Sequence, residues 1–101
     1  MFVYNVSIRL EPGIEPEWVQ WMRNVHIPDV LATGLFSGHQ FFELLEPSED
    51  EGKHYIVQYF LEQEQQYHEY LHTFAPELRQ KAFDRFGDRF IAFRSFMKKY
   101  D

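Results

Sequence analysis

The chain has 101 residues, no cysteine and a formal net charge of −6. Disulfides, thiol catalysis and iron–sulfur ligation are excluded, and the acidic balance argues against a nucleic-acid binder. No apolar run approaches the length of a membrane span, and MFVYNVSIRL lacks the basic start and small-residue cleavage site of a signal peptide.

These features suit a cytoplasmic protein with no membrane partner and one domain over residues 1–101. Eleven Phe, six Tyr and two Trp are more apolar bulk than so small a domain easily hides, so an apolar partner surface is expected. Glu43 to Glu69 is mostly acidic, whereas Arg79, Lys81, Arg85, Arg89, Arg94, Lys98 and Lys99 crowd the last quarter. Such a split reads as solvated faces with some ion pairs, or as complementary patches between subunits.

In chain order, Phe2, Tyr4, Val6, Ile8 and Leu10 alternate with Val3, Asn5, Ser7 and Arg9, giving a first strand that Glu11-Pro12-Gly13 ends. A helix is predicted over Glu15 to Val25, with Ile14, Trp18, Met22 and Val25 on its buried face and Trp21 beside them. Pro28 is expected to break it, because the residue before a proline is pushed out of the helical region. A short turn from Pro28 to Thr33 then closes at Gly34. A second strand is predicted over Phe36 to Leu45, an acidic turn over Glu46 to Gly52, and a third strand over Lys53 to Leu61, the two strands forming a hairpin.

The next helix begins near Glu62 with the stripe Tyr67, Tyr70, Leu71 and Phe74. It breaks at Pro76, resumes with Leu78, Ala82 and Phe86, and stops at Gly87. A last strand from Arg89 to Met97 puts Phe90, Ala92 and Phe96 on one face and Ile91, Phe93 and Met97 on the other.

The order β-α-β-β-α-β is the ferredoxin-like α+β pattern: a four-stranded antiparallel sheet with two broken helices on one face. The other face carries Val3, Ile56, Phe60, Ile91 and Phe93, too apolar to stay in water, so a homodimer packed sheet against sheet is expected.

The segments WMRNVHIPDVLATG, TGLF, VQYF, APELRQ and FGDRFIAFRSFM resemble a family of short bacterial proteins known as domain of unknown function 4286, over nearly the whole chain. That family brings no activity with it. More distantly the layout resembles the dimeric α+β barrel superfamily, which includes antibiotic-biosynthesis monooxygenases, muconolactone isomerases and EthD-type proteins. Several EthD-like members carry a Trp or Tyr and then His-x-Pro at the end of the first helix, as Trp21 and His26-Ile27-Pro28 do here. The resemblance implies a lumen between the sheets of two subunits, without metal or organic cofactor.

His26 is the first candidate for chemistry. A histidine at a helix end can move protons near neutrality, the helix dipole would favour its cationic form, and Asn24 and Asp29 stand close enough in sequence to orient it. It is expected to line a pocket between the broken helix and the sheet; otherwise it caps the carbonyls freed ahead of Pro28.

Asn5, Ser7, Arg9, His54 and Gln58 share the phase opposite the helices. Asn5, Ser7, His54 and Gln58 are read with Trp21 and His26 as the ligand-binding set of a mostly apolar lumen, or else as groups that merely pair with one another at a dimer interface.

His68-Glu69-Tyr70-Leu71-His72 is a literal H-E-x-x-H, but its histidines fall off the buried stripe and Glu77, the nearest third ligand, lies beyond Pro76, so no metal site is expected. No Ser-His-acid order or Gly-rich phosphate loop is present. Two functions remain open: a barrel that binds a small, partly hydrophobic molecule, as a cofactor-independent enzyme acting on a hydrophobic or aromatic oxygenated compound, or an interaction scaffold with no small-molecule substrate.

Overall fold

The computed structural model describes residues 1–46 and 52–101; the greater part of the predicted acidic turn lies outside the described residues. Strand β1 (Phe2–Leu10) is followed by helix α1 (Glu15–Trp21), a π-helical stretch Met22–His26 and helix α2 (Ile27–Leu31). The hairpin β2 (Gly38–Glu43) and β3 (Lys53–Leu61) comes next, then α3 (Glu64–Glu69), a second π-helical stretch Tyr70–Phe74, α4 (Ala75–Phe86) and β4 (Phe90–Lys98). The strands form one antiparallel sheet in the order β2-β3-β1-β4, the ferredoxin-like arrangement that the alternation predicts.

The predicted inward phase of β1 and β3 holds. Tyr4, Val6, Ile8 and Leu10 are buried together with Tyr55, Val57, Tyr59 and Leu61, under Ile14, Trp18, Met22, Ile27 and Val30 from the first helical run and Tyr70, Ala75, Leu78 and Phe86 from the second. The strand predicted over Phe36 to Leu45 is shorter, because Phe36 leaves the sheet and packs its ring 5.3 Å from Tyr59 and 5.0 Å from Tyr70.

The breaks predicted at Pro28 and Pro76 are not breaks. Ile27 (φ −61°, ψ −46°) and Ala75 (φ −59°, ψ −41°) stay helical, and each donates its N–H five residues back, to the carbonyls of Met22 and Tyr70. A proline has no N–H to offer and its ring crowds the carbonyl four residues earlier. A widened turn just ahead of it relieves both problems without stopping the helix.

The wider turn also shifts the phase. Val25, predicted on the buried face, is 39% exposed, and Ile27 and Val30 take the buried positions instead. The second helix starts at Glu64, with Gln63 and Gln66 forming a reciprocal cap. It stops at Gly87, whose φ of +62° is a conformation that side chains resist.

Exposed ion pairs tie the two helical runs together: Arg85 of α4 to Glu17 of α1, and Lys81 Nζ to Asp29 Oδ2 of α2 at 3.7 Å. No helix among the described residues is long and apolar enough to cross a membrane.

Candidate functional site

Between the helices and the sheet lies a narrow cavity. It leaves about 60 Å³ for water centres, and about 590 Å³ of empty space when the region open to solvent is included. Its walls come from every layer that the phase brings inward: Tyr4 and Ile8 of β1, Tyr59 of β3, Trp18 and Trp21 of α1, and Met22 and His26 of the first π-helical stretch. Tyr70 of the second stretch, Arg79 and Ala82 of α4, and Ala92 and Arg94 of β4 complete it. Ala82 and Ala92 are the smallest side chains lining it, and they leave space that a leucine or phenylalanine would fill.

The widened turn is what brings His26 to this wall. Its ring stacks on Trp21 at 5.2 Å, and Trp21 meets Phe86 edge-on at 5.4 Å. Burial lowers the His26 pKa to about 4; Asp29 opposes this, and the Arg94 charge, weaker than that of Asp29, pushes with burial. The helix-end reading of His26 as a cation is therefore corrected. The helix does not end there, desolvation dominates, and at neutral pH the imidazole is neutral.

Burial raises the pKa of Tyr59 and of Tyr70, the latter against the nearby Arg79 and Arg94 charges, so both keep their protons at neutral pH. The Tyr59 hydroxyl is buried without a hydrogen-bond partner, whereas Tyr4 Oη accepts from Arg79 at 3.2 Å. An unpartnered buried hydroxyl costs free energy unless something else satisfies it. A neutral imidazole and protonated phenols in an aromatic wall suit an oxygenated, partly apolar guest.

The sequence-derived ligand set falls into two places. Trp21 and His26 line this cavity. Asn5, Ser7, His54 and Gln58 sit on the opposite face of the sheet, where Gln58 Nε2 donates to Asn5 Oδ1 at 3.2 Å across the β1–β3 ladder. His54 Nδ1 is buried there without a partner.

Arg79 and Arg94 were absent from that set. The signal for Arg94 is in the alternation: Phe90, Ala92 and Phe96 face the helices, so residue 94 must too, and it is an arginine in an apolar row.

His68, Glu69 and His72 are exposed, with His68 Nε2 3.6 Å from Glu64. Among the described residues no group of three or more His, Asp or Glu gathers to hold a metal ion. A roomier groove of about 630 Å³ runs outside Ile27, Leu31 and Phe41, but it is a more open hollow beside the edge strand β2.

The family described as Domain of unknown function (DUF4286) matches residues 1–100. The chain belongs to the DUF4286 family. No curated protein matches it.

Among solved structures, an ethyl tert-butyl ether d (ethd) family protein from Bacillus halodurans is similar with a TM-score of 0.74 and 10% identity, covering 99% of this chain and 100% of that one. SnoaB, a cofactor-independent oxygenase from Streptomyces nogalater, gives 0.69 and 10%, covering 99% and 94%. A dimeric ferredoxin-like protein from an uncultured marine organism gives 0.70 and 7%, covering 99% and 96%. At such identities the likeness is one of fold, and it places this DUF4286 member among ferredoxin-like α+β proteins.

Proposed function

We propose that this DUF4286 protein is a homodimer in which each subunit binds a small, partly hydrophobic, oxygenated aromatic molecule in the cavity between helices and sheet, as a cofactor-independent enzyme. The observation that carries the reading is the cavity itself. It joins a neutral His26, stacked on Trp21, to the unpartnered hydroxyl of Tyr59 inside an aromatic wall. His26 accepts a hydrogen bond or a proton from a ligand O–H; it does not donate a proton at neutral pH, because its free form is the neutral one. Tyr59 donates to a ligand oxygen. The likeness in fold to a cofactor-independent oxygenase agrees with chemistry of this class, as an analogy only.

The dimer follows from the other face of the sheet. Ile91 and Phe93 are 54% and 61% exposed, Met97 is exposed on the same strand, and Phe42 is exposed on the far edge strand β2. Through them runs a polar row, Gln40–Gln58–Asn5–Ser95, in register across all four strands. Covering this face with a second copy hides the apolar groups and lets the polar row fix the register.

A scaffold dimer without a substrate is the second reading, favoured by how little room the cavity interior holds. Titrating the chain with 1-naphthol separates the two. Trp18 and Trp21 are its only tryptophans and both line the cavity, so their fluorescence reports occupancy. Quenching that saturates, weakened about tenfold in His26→Phe by loss of one hydrogen bond, is expected. No saturable binding favours the scaffold, and unchanged binding in His26→Phe removes His26 from the site.

A further inference from the structure

We propose that the ligand of this cavity is an aromatic carboxylate, whose acid group is received between Arg79 and Arg94 at the mouth while its rings lie against Trp21 and Tyr59. The inference rests on the reading of the cavity as a ligand site and adds the charge of the ligand.

Arg94 occupies an inward register position of β4, between Ala92 and Phe96, where packing alone asks for an apolar residue. Arg79 reaches the same space from α4, with its guanidinium on Tyr4 Oη at 3.2 Å. Both are exposed residues that also line the cavity, so they stand at its opening rather than in its depth. Their charges act on the same two phenols, Tyr67 and Tyr70, so the two guanidinium groups share one neighbourhood.

In a chain of net charge −6, two cations at one opening call for a partner. Lys53, Lys81, Arg85 and Arg89 each pair with a carboxylate: Glu43, Asp29, Glu17 and Glu11. Among the described residues Arg79 and Arg94 do not, nor do Arg9, Arg23, Lys98 and Lys99, but of these only Arg79 and Arg94 line the cavity.

Two unneutralised guanidinium groups repel one another, and an anion between them reverses that term. The planar guanidinium fork matches a carboxylate in two parallel hydrogen bonds. Behind them the wall is aromatic, and the Tyr59 hydroxyl, on a residue only 2% exposed and with no protein partner, offers a donor deeper in. A guest that satisfies both has an anion at one end, fused or single aromatic rings, and an oxygen toward Tyr59.

The test compares sodium 1-naphthoate with 1-naphthamide, which has nearly the same shape and no charge, by tryptophan quenching of the full chain at pH 7.5. Naphthoate is expected to bind at least tenfold more tightly than the amide, with the preference shrinking as salt is added. Arg94→Gln and Arg79→Gln should each bring naphthoate to within threefold of the amide, with naphthoate losing more affinity than the amide. Equal affinity of acid and amide for the unaltered protein overturns the proposal and leaves the cavity reading standing. So does a preference that survives both substitutions. If neither compound nor 1-naphthol binds, the cavity reading fails and the proposal falls with it.

Discussion

The residue on which most depends is His26, and its behaviour follows from placement rather than from type. Desolvation holds its pKa near 4 instead of the usual 6.5, and Arg94 adds to the effect while Asp29, itself paired with Lys81, opposes it. The unfolded chain therefore binds a proton at this site below about pH 6.5 that the folded chain refuses until about pH 4. Stability is present in full above pH 6.5 and falls as pH drops through that window. At 1.36 kcal/mol per pH unit the loss is roughly 3 kcal/mol. Urea titrations at pH 7 and pH 4.5 should show most of this loss, and His26→Gln should show a flatter profile over the same range. An equally steep profile in the variant would mean that other groups carry it.

A histidine near a proline was legible in the sequence as a candidate, but its charge state was not. A helix dipole acts on a histidine where the helix ends, and this helix continues past His26. Arg94 could have been found without coordinates. It is the charged residue of the inward row Phe90, Ala92, Phe96, and reading that row without gaps exposes it. Arg79 could not, since its approach to Tyr4 depends on how α4 crosses the sheet.

At the scale of elements, the strands read clearly because their period is two and one face is buried throughout; β3 keeps its predicted bounds Lys53–Leu61. The helices read clearly up to the prolines and then lose phase. Period-3.6 counting has no place for a π turn, so it carries Val25 inward and leaves Ile27 and Val30 unassigned. The extra residue is part of the core design. Deleting Asn24, an exposed residue of the stretch Met22–His26, would close that stretch to regular α spacing. Met22, Ile27 and Val30 would then follow one another at i, i+4 and i+7 and stay on the buried face. The Pro28 ring would again crowd the carbonyl four residues before it, so the deletion should cost about 3 kcal/mol in urea unfolding, against about 0.5 kcal/mol or less for Asn24→Ala. A deletion as mild as the substitution would show that the π turn is not needed to seat the proline.

At the scale of the molecule, one sheet serves two surfaces. Its inner face closes a core and leaves a cavity; its outer face leaves Phe93 and Ile91 open around a polar row. The excess of aromatic residues in the sequence anticipates the second surface. It does not distinguish a lumen between sheets from the cavity under the helices, because Trp21 and the strand polar groups belong to opposite sides. The homodimer predicts a light-scattering mass of twice the 12.3 kDa chain, and Phe93→Glu, a charge placed amid that face, should give a folded monomer. A monomeric unaltered chain, or a variant that still dimerises, argues that this face is not the interface.

The central claim is that the ligand enters on the helix side of the sheet. Three methionines give a direct reading: Met22 lines the cavity, Met97 lies on the outer face at 39% exposed, and Met1 is the first residue. Methyl-labelled methionine spectra recorded during titration with 1-naphthol should show the Met22 signal move to saturation while Met97 and Met1 hold still. Movement of Met97 with Met22 fixed would put the ligand between the sheets and contradict the account.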